Sequence, residues 1–450
     1  MKPTPTPLLP LLATAVLLAG CEQVEQVQDQ FRDHTPHEAY LASLARAGLA
    51  ETALVRDWIA VGLQAVDQAT LVSLPFQEEG FIAATEAGAV AYRIRVDRGQ
   101  RLAGEVTLAG RDGTRLFLDL FRVPDDEGDV LRPVLAVDSV PGAFAYEPWR
   151  GGDFILRVQP ELLRGGSYRV ILRLEPQLAF PVEGRDEGAI GSTWGQPREG
   201  GRRSHEGVDI FAERGTPVLA TAAGEVSRVR VTNIGGKVVW LRDPVRNASI
   251  YFAHLDSQFV APGQRVEAGD TLGFVGNTGN ARTTAPHLHF GIYRRGEGAV
   301  DPAPFLRRPR GRMADLTADL ALLGGWVRMK DGGTRLRAAP TLQAPVLQEM
   351  SRHTPLQVFG GSGSWYRVRL PDGSVGYVAA TLTESVERAL ETRIAAVGEP
   401  VRAAPEHTAP VMASLPEGTS LPVLGRFGAF VMVSTPDGDR GWLGERTSSF

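Results

Sequence analysis

One cysteine in the whole chain excludes an intramolecular disulfide, so no covalent staple holds this fold. Long apolar runs are missing as well. The longest, Leu8 to Gly20, is thirteen residues with Pro10 inside it, too short to span a bilayer. There is no basic excess, and a net charge of −4 gives no reason to expect nucleic acid as a partner. Histidine is sparse, with eight in 450 residues, yet four of them fall between positions 205 and 289. The rest is ordinary for folded protein, 43% apolar and 22% charged. The length exceeds one compact core and sets a prior of roughly three to four domains. Fifty-one Gly and 31 Pro predict many turns and short strands, so the expected class is mainly β and multidomain.

The first residues read as an address. Lys2 precedes the apolar run, whose length suits the apolar part of a signal peptide. The run ends Leu18-Ala19-Gly20-Cys21 and resembles the lipobox of bacterial lipoproteins. That resemblance implies a signal peptide over 1–21 with Cys21 lipidated as the mature N-terminus; an ordinary signal peptide with a chance cysteine is the competing reading. An unpaired thiol in an exported protein is otherwise unexplained, and several acyl chains anchor stably where one does not. Glu22 stands where Asp would signal inner-membrane retention. The expected location is therefore the periplasmic face of the outer membrane if the cell has one, otherwise the cell surface.

Residues 22–75 read as a helical spacer or docking hairpin, with Leu41, Leu44, Leu49, Leu54, Trp58, Val61 and Ala65 at three- to five-residue steps. Over 76–178 the period becomes two: Val90, Tyr92, Ile94 and Val96 alternate with small or charged residues, and Phe154, Leu156 and Val158 do likewise. This predicts an antiparallel sandwich. It loosely resembles accessory jelly-roll domains of secreted bacterial peptidases, with Tyr168 to Leu174 as its closing strand.

The C-terminal part repeats. Arg337-Ala-Ala-Pro340 recurs as Arg402-Ala-Ala-Pro405, Ala344-Pro-Val346 as Ala409-Pro-Val411, and Pro371-Asp-Gly373 as Pro436-Asp-Gly438, always 65 residues apart. One register held over several matches means two copies of one small domain, expected at 325–385 and 390–450. Each resembles a bacterial SH3-like barrel, which implies binding of cell-wall peptide or polysaccharide; a passive spacer is the alternative. The second copy has Phe430-Val431 where the first has Trp365-Tyr366, and so loses aromatic surface. The stretch 309–324, with arginines running in from Arg307, reads as a solvated linker.

Chemistry concentrates in the segment expected at 185–308. In His287-Leu-His289-Phe, Leu288, Phe290 and Ile292 alternate with His287, His289 and Gly291, so both imidazoles project from one face of a strand. A metal is one of the few things that needs two adjacent imidazoles neutral. His205 and Asp209 are four apart, but Gly207 and the following Val208-Asp-Ile-Phe argue for a bent approach to a strand rather than a helical turn. Two nitrogens and a carboxylate suit Zn²⁺ with one position left open.

These segments resemble the LytM/lysostaphin-type (M23 family) zinc endopeptidases: His-x-Gly-x-Asp-Ile at 205–210, Tyr-x-Ala-His-Leu at 251–255, Gly-Asn-Thr-Gly at 276–279 and Pro-His-Leu-His-Phe at 286–290. The resemblance implies a Zn²⁺-dependent endopeptidase cutting peptide cross-links of peptidoglycan, in a groove of antiparallel sheet. By position it makes His205, Asp209 and His289 the metal ligands, and His254 and His287 the catalytic histidines. It implies peptidoglycan stem peptides as substrate, the membrane as partner through Cys21, and room for cell-division or wall-synthesis partners. Ala285 replaces the usual Gly before Pro-His-Leu-His, and the loop 277–284 is longer, carrying Arg282. Glu206 is left out of the site, since on a strand it points away from His205. The alternative is a peptidoglycan-binding regulator that activates another wall hydrolase. Its mark would be substituted ligands, and here none is substituted.

Overall fold

The computed structural model describes residues 34–445 apart from 112, 127–129 and 139–141. The leader, Cys21 and Glu22 lie outside the described residues.

Two helices, Pro36–Arg46 and Ala53–Asp67, form the N-terminal hairpin. Thr35 caps the first in a capping box with Glu38, and Thr52 caps the second; both satisfy N–H groups without intrahelical partners. The hairpin docks on the sandwich. Trp58, 1% exposed, donates its ring N–H to the Pro160 carbonyl at 2.8 Å. His37 stacks on Trp58 at 4.8 Å between centroids and shares a 3.3 Å hydrogen bond with Gln159. A Cβ at Gly62 would meet the buried Gln159 amide at 2.5 Å and would have to displace it from its hydrogen bonds. The periodic residues Leu49 and Leu54 instead face solvent: the first lies in the turn between the helices, and the buried stripe runs through Leu44, Val55 and Trp58.

Burial, reinforced by Arg157 and opposed by Gln159, lowers the His37 pKa to about 4. Unfolded histidine titrates near 6.5, so between pH 6.5 and pH 4 the unfolded chain binds more protons and stability falls as pH falls. The loss approaches about 3 kcal/mol by pH 4. In thermal melts across that window, the midpoint of wild type is expected to drop more steeply than that of His37→Gln. Equal slopes would refute the assignment.

The sandwich follows. One sheet orders strands 70–71, 90–96, 152–160, 116–122 and 133–137; the other orders 76–82, 166–176, 100–109 and 142–146. Pairing is antiparallel except where Thr70–Leu71 lies beside Val90–Val96. The period-two residues Tyr92, Ile94, Val96, Phe154, Leu156 and Val158 are all fully buried between the sheets. Strand Gly166–Pro176, though last in sequence, does not close an edge; it lies between Phe76–Ile82 and Gln100–Ala109.

The second sheet continues beyond the sandwich. Glu79 and Gly80 pair with Gly361 and Gly360 of the first C-terminal copy, which makes one sheet of eleven strands. At this junction Glu78 is 0% exposed. It accepts hydrogen bonds from Tyr92 (2.7 Å), Tyr168 (2.8 Å) and Tyr377 (2.7 Å), with Arg367 at 3.4 Å. The copies also repeat in detail: Arg337 donates to the Ala344 carbonyl and Arg402 to the Ala409 carbonyl, both at 2.8 Å. Phe430 and Trp442 of the second copy pack with Trp326 and Phe427 in a cluster between the copies.

Between sandwich and linker lies an eight-stranded sheet ordered 190–192, 208–211, 287–294, 248–255, 236–243, 224–232 and 265–266, with 298–300 against 287–294. A smaller sheet of 217–219, 271–274 and 257–258 shares its core, where Val218 and Leu272 meet Val208, Leu241, Phe252, Leu288 and Phe290. Trp149 of the sandwich is held between Arg98 (4.8 Å) and Arg294 (4.0 Å) and donates to Glu297 at 2.8 Å. That contact ties the two folds together.

Candidate active site

The site grows from strand His287–Arg294. Leu288, Phe290 and Ile292 are sunk in the core, which leaves His287 and His289 on the opposite face. Strand Val208–Phe211 places Asp209 directly across from His289, and Ala248–Leu255 brings Ala253 to the other side of it with His254 next in chain. His205 arrives on a hairpin in which Pro197–Arg198 pairs with Arg203–Ser204, and its N–H donates to the Gln196 carbonyl at 2.9 Å. Gly207 is required here: a Cβ would lie 2.5 Å from the Phe290 carbonyl and 2.8 Å from the His289 ring.

His205 Nε2, Asp209 Oδ1 and His289 Nδ1 each stand 3.0 Å from the other two. His205 Nδ1 donates to the Thr193 carbonyl at 2.9 Å, which leaves Nε2 as a lone pair in the neutral ring. Two imidazole lone pairs and a carboxylate oxygen at such distances repel one another unless a cation sits among them. The donor set fits a divalent metal of borderline softness, and these three residues could hold one. Burial works against the charge of Asp209, but when protons occupy the triangle in place of a cation, His205 and His289 override it and hold the carboxyl well below its usual range. Burial lowers His289, with Asp209 opposing.

His254 and His287 meet at 5.1 Å between ring centroids. Each gives its Nδ1 proton to a backbone carbonyl, His254 to Thr278 at 2.9 Å and His287 to Ala285 at 2.8 Å. In the neutral tautomer each ring therefore keeps Nε2 as an acceptor. Because the backbone of residue 285 orients His287, Ala in place of Gly leaves this contact intact. Burial, with His287 adding, lowers the His254 pKa to about 4, so the ring is neutral at pH 7. His254 has a positive φ of 63°, a conformation that costs about 1–3 kcal/mol and persists where surroundings over-determine it. Here its N–H donates to the Gly235 carbonyl at 2.7 Å, while Thr278 Oγ1 donates to the Leu255 carbonyl at 2.8 Å.

All five residues singled out in the sequence line one open cleft of about 1080 Å³. Glu206 also lines it, but its carboxylate approaches Tyr293 Oη at 3.4 Å and is not among the metal donors. Three features went unnoticed in the sequence. One is an aromatic wall in which Trp240 meets Tyr251 (4.5 Å) and Tyr293 (5.2 Å); of these only Tyr251 belongs to a recognised motif. Another is the set of carbonyls that orient the histidines, which no side-chain pattern reveals. The last is Arg198, in a glycine-rich loop without a motif.

Residues 203–302 match the profile of Peptidase family M23, and residues 332–384 and 397–449 each match the Bacterial SH3 domain. An L-Ala--D-Glu endopeptidase of Bacillus subtilis (strain 168) is 42% identical over 140 residues, 29% of this chain and 43% of that protein. Peptidoglycan DD-endopeptidase ShyC of Vibrio cholerae is 36% identical over 94 residues, 21% of each chain. Among solved structures, the catalytic domain of lysostaphin from Staphylococcus simulans is 35% identical, with 26% of this chain and 90% of that one covered at a TM-score of 0.24. The chain spans less than half the length of these two curated relatives.

Proposed function

We propose, from an M23 peptidase domain at 203–302 followed by two bacterial SH3 domains, that the protein hydrolyses peptide cross-links of bacterial peptidoglycan. One observation carries the reading: a complete His–Asp–His donor set shares a cleft with two histidines whose Nε2 atoms are left as acceptors. The names of the relatives, which cut peptide bonds of the wall, support that substrate.

His205, Asp209 and His289 would hold Zn²⁺. When bound, zinc supplies Lewis-acid polarisation of the scissile carbonyl and a nucleophile at neutral pH. The chain's own part is proton handling. His254 and His287, oriented by the Thr278 and Ala285 carbonyls with Nε2 turned to accept, take up the proton of the attacking water and return it to the leaving amine as the C–N bond breaks. Burial of His254 keeps it in the accepting form well below pH 7.

Wall substrate places the protein outside the cytoplasmic membrane, and lipidation of Cys21 would hold it there. The test is a digest of purified, cross-linked peptidoglycan by the chain lacking residues 1–21, with zinc, resolved by mass. Conversion of cross-linked dimers to monomers is expected, and the fragments name the bond. No cleavage by protein that holds one zinc would overturn the reading.

A further inference from the structure

We infer that Arg198 is a positioning residue of the metal centre: by engaging one oxygen of Asp209, it dedicates the other to the two imidazoles. The inference rests on the zinc reading above and concerns only how this chain prepares its donors.

Arg198 Nη2 lies 2.7 Å from Asp209 Oδ2 and 2.6 Å from Ser192 Oγ, so both protons of one guanidinium nitrogen are used. Ser192 in turn donates to Gln196 Oε1 at 2.7 Å. Asp209 and Ser192 are both buried, and the Arg198 side chain reaches them from the cleft lining, 33% exposed. A free carboxylate has two equivalent oxygens and can turn either, or both, toward a cation. Here the symmetry is broken. Oδ2 carries a short charge-assisted bond, while Oδ1 stands 3.0 Å from His205 Nε2 and from His289 Nδ1.

The hairpin that carries Arg198 also delivers His205, since Arg198 pairs with Arg203 two residues before that ligand. One small element therefore supplies both a donor and the brace on a second donor. Partners of this kind fix ligand orientation, and losing one typically changes metal affinity or activity by about 10–100-fold. Lysine would keep the charge at this site but not the planar fork.

If Arg198 only neutralised a buried carboxylate or stapled the hairpin, removing it would lower thermal stability and metal affinity together, with the coordination unchanged. If it dedicates one oxygen, the signature is spectroscopic. The experiment uses the chain lacking residues 1–21 with Arg198→Gln, Arg198→Lys and Ser192→Ala. It reads Co²⁺ visible absorption, Zn²⁺ affinity by chelator competition, the metal-free melting midpoint, and kcat and KM on peptidoglycan fragments.

Arg198→Gln is expected to keep its metal-free midpoint and to bind Co²⁺ with a weaker, shifted spectrum, as the second oxygen joins the coordination. Its kcat is expected to fall about 10–100-fold with KM little changed. Ser192→Ala shifts the spectrum in the same direction by less, and serves, with Arg198→Lys, should Arg198→Gln not fold. A Co²⁺ spectrum identical to wild type in these variants would overturn the inference and leave the zinc reading standing. Wild type that binds neither Zn²⁺ nor Co²⁺ would remove both.

Discussion

His289→Ala is expected to cut peptidoglycan hydrolysis about 1,000-fold or more while the metal-free protein melts where wild type does. Zinc supplies several kcal/mol of transition-state stabilisation, and about 4 kcal/mol is three decades in rate. The fold does not depend on this ring, because the strand is anchored from its other face by Leu288 and Phe290, both fully buried. Removing His289 Nδ1 also relieves the repulsion among donors at 3.0 Å. Wild type, by contrast, should gain thermal stability with added zinc, since a ligand that binds only the native state stabilises it. His289→Ala should lose that gain. His254→Ala and His287→Ala should keep it and still lose activity, because neither belongs to the donor triangle. A zinc-dependent rise in midpoint that survives in His289→Ala would sink the ligand assignment.

The contrast between those variants was partly legible in the sequence. Alternation in His287-Leu-His-Phe-Gly-Ile is local, so it announces which residues share a face before any fold is known. The place of Asp209 opposite His289 is a register between strands 80 residues apart, and only the family resemblance supplied it. What stayed hidden depends on backbone or long-range contact. The carbonyls of Thr193, Thr278 and Ala285 fix three tautomers, and a carbonyl carries no residue identity. Arg198 meets Asp209 only because a glycine-bearing loop folds back.

The same limit shaped the reading of the modules. The 65-residue repeat exposed two copies, since a period survives in sequence whatever the copies touch. It did not show that Phe430 and Trp442 share a buried cluster with Trp326 of the first copy, nor that the hairpin at 36–67 docks through His37 and Trp58. Period-two patterning likewise found the sandwich strands, Tyr168 to Leu174 among them, but not that this strand lies between Phe76–Ile82 and Gln100–Ala109. Buried tyrosine and alternating aliphatics look alike in central and closing strands.

Arg367→Met is expected to destabilise the sandwich and the first SH3-like copy together, by about 3–5 kcal/mol. Glu78 is 0% exposed, and among the described residues Arg367 is its ion-pair partner, 3.4 Å away. Burial alone would lower the Arg367 pKa, but Tyr377 and Glu78 outweigh it and push it well above the usual value. Without Arg367, three tyrosine hydroxyls still reach the carboxylate, yet no countercharge remains in a site that excludes water. Glu78→Gln/Arg367→Met should recover much of the loss, because the amide oxygen still accepts from Tyr92 and Tyr168, its NH2 can donate to Tyr377 Oη, and no charge is left to balance. Since Glu79 and Gly80 pair with Gly361 and Gly360, hydrogen exchange is the sharper readout. Amides of 76–82 and 355–362 should lose protection together in Arg367→Met, with strands 420–427 and 430–434 of the second copy less affected. Loss confined to 355–362, or a destabilisation below about 1 kcal/mol, would mean that the shared sheet, and not the buried ion pair, holds the two modules as one.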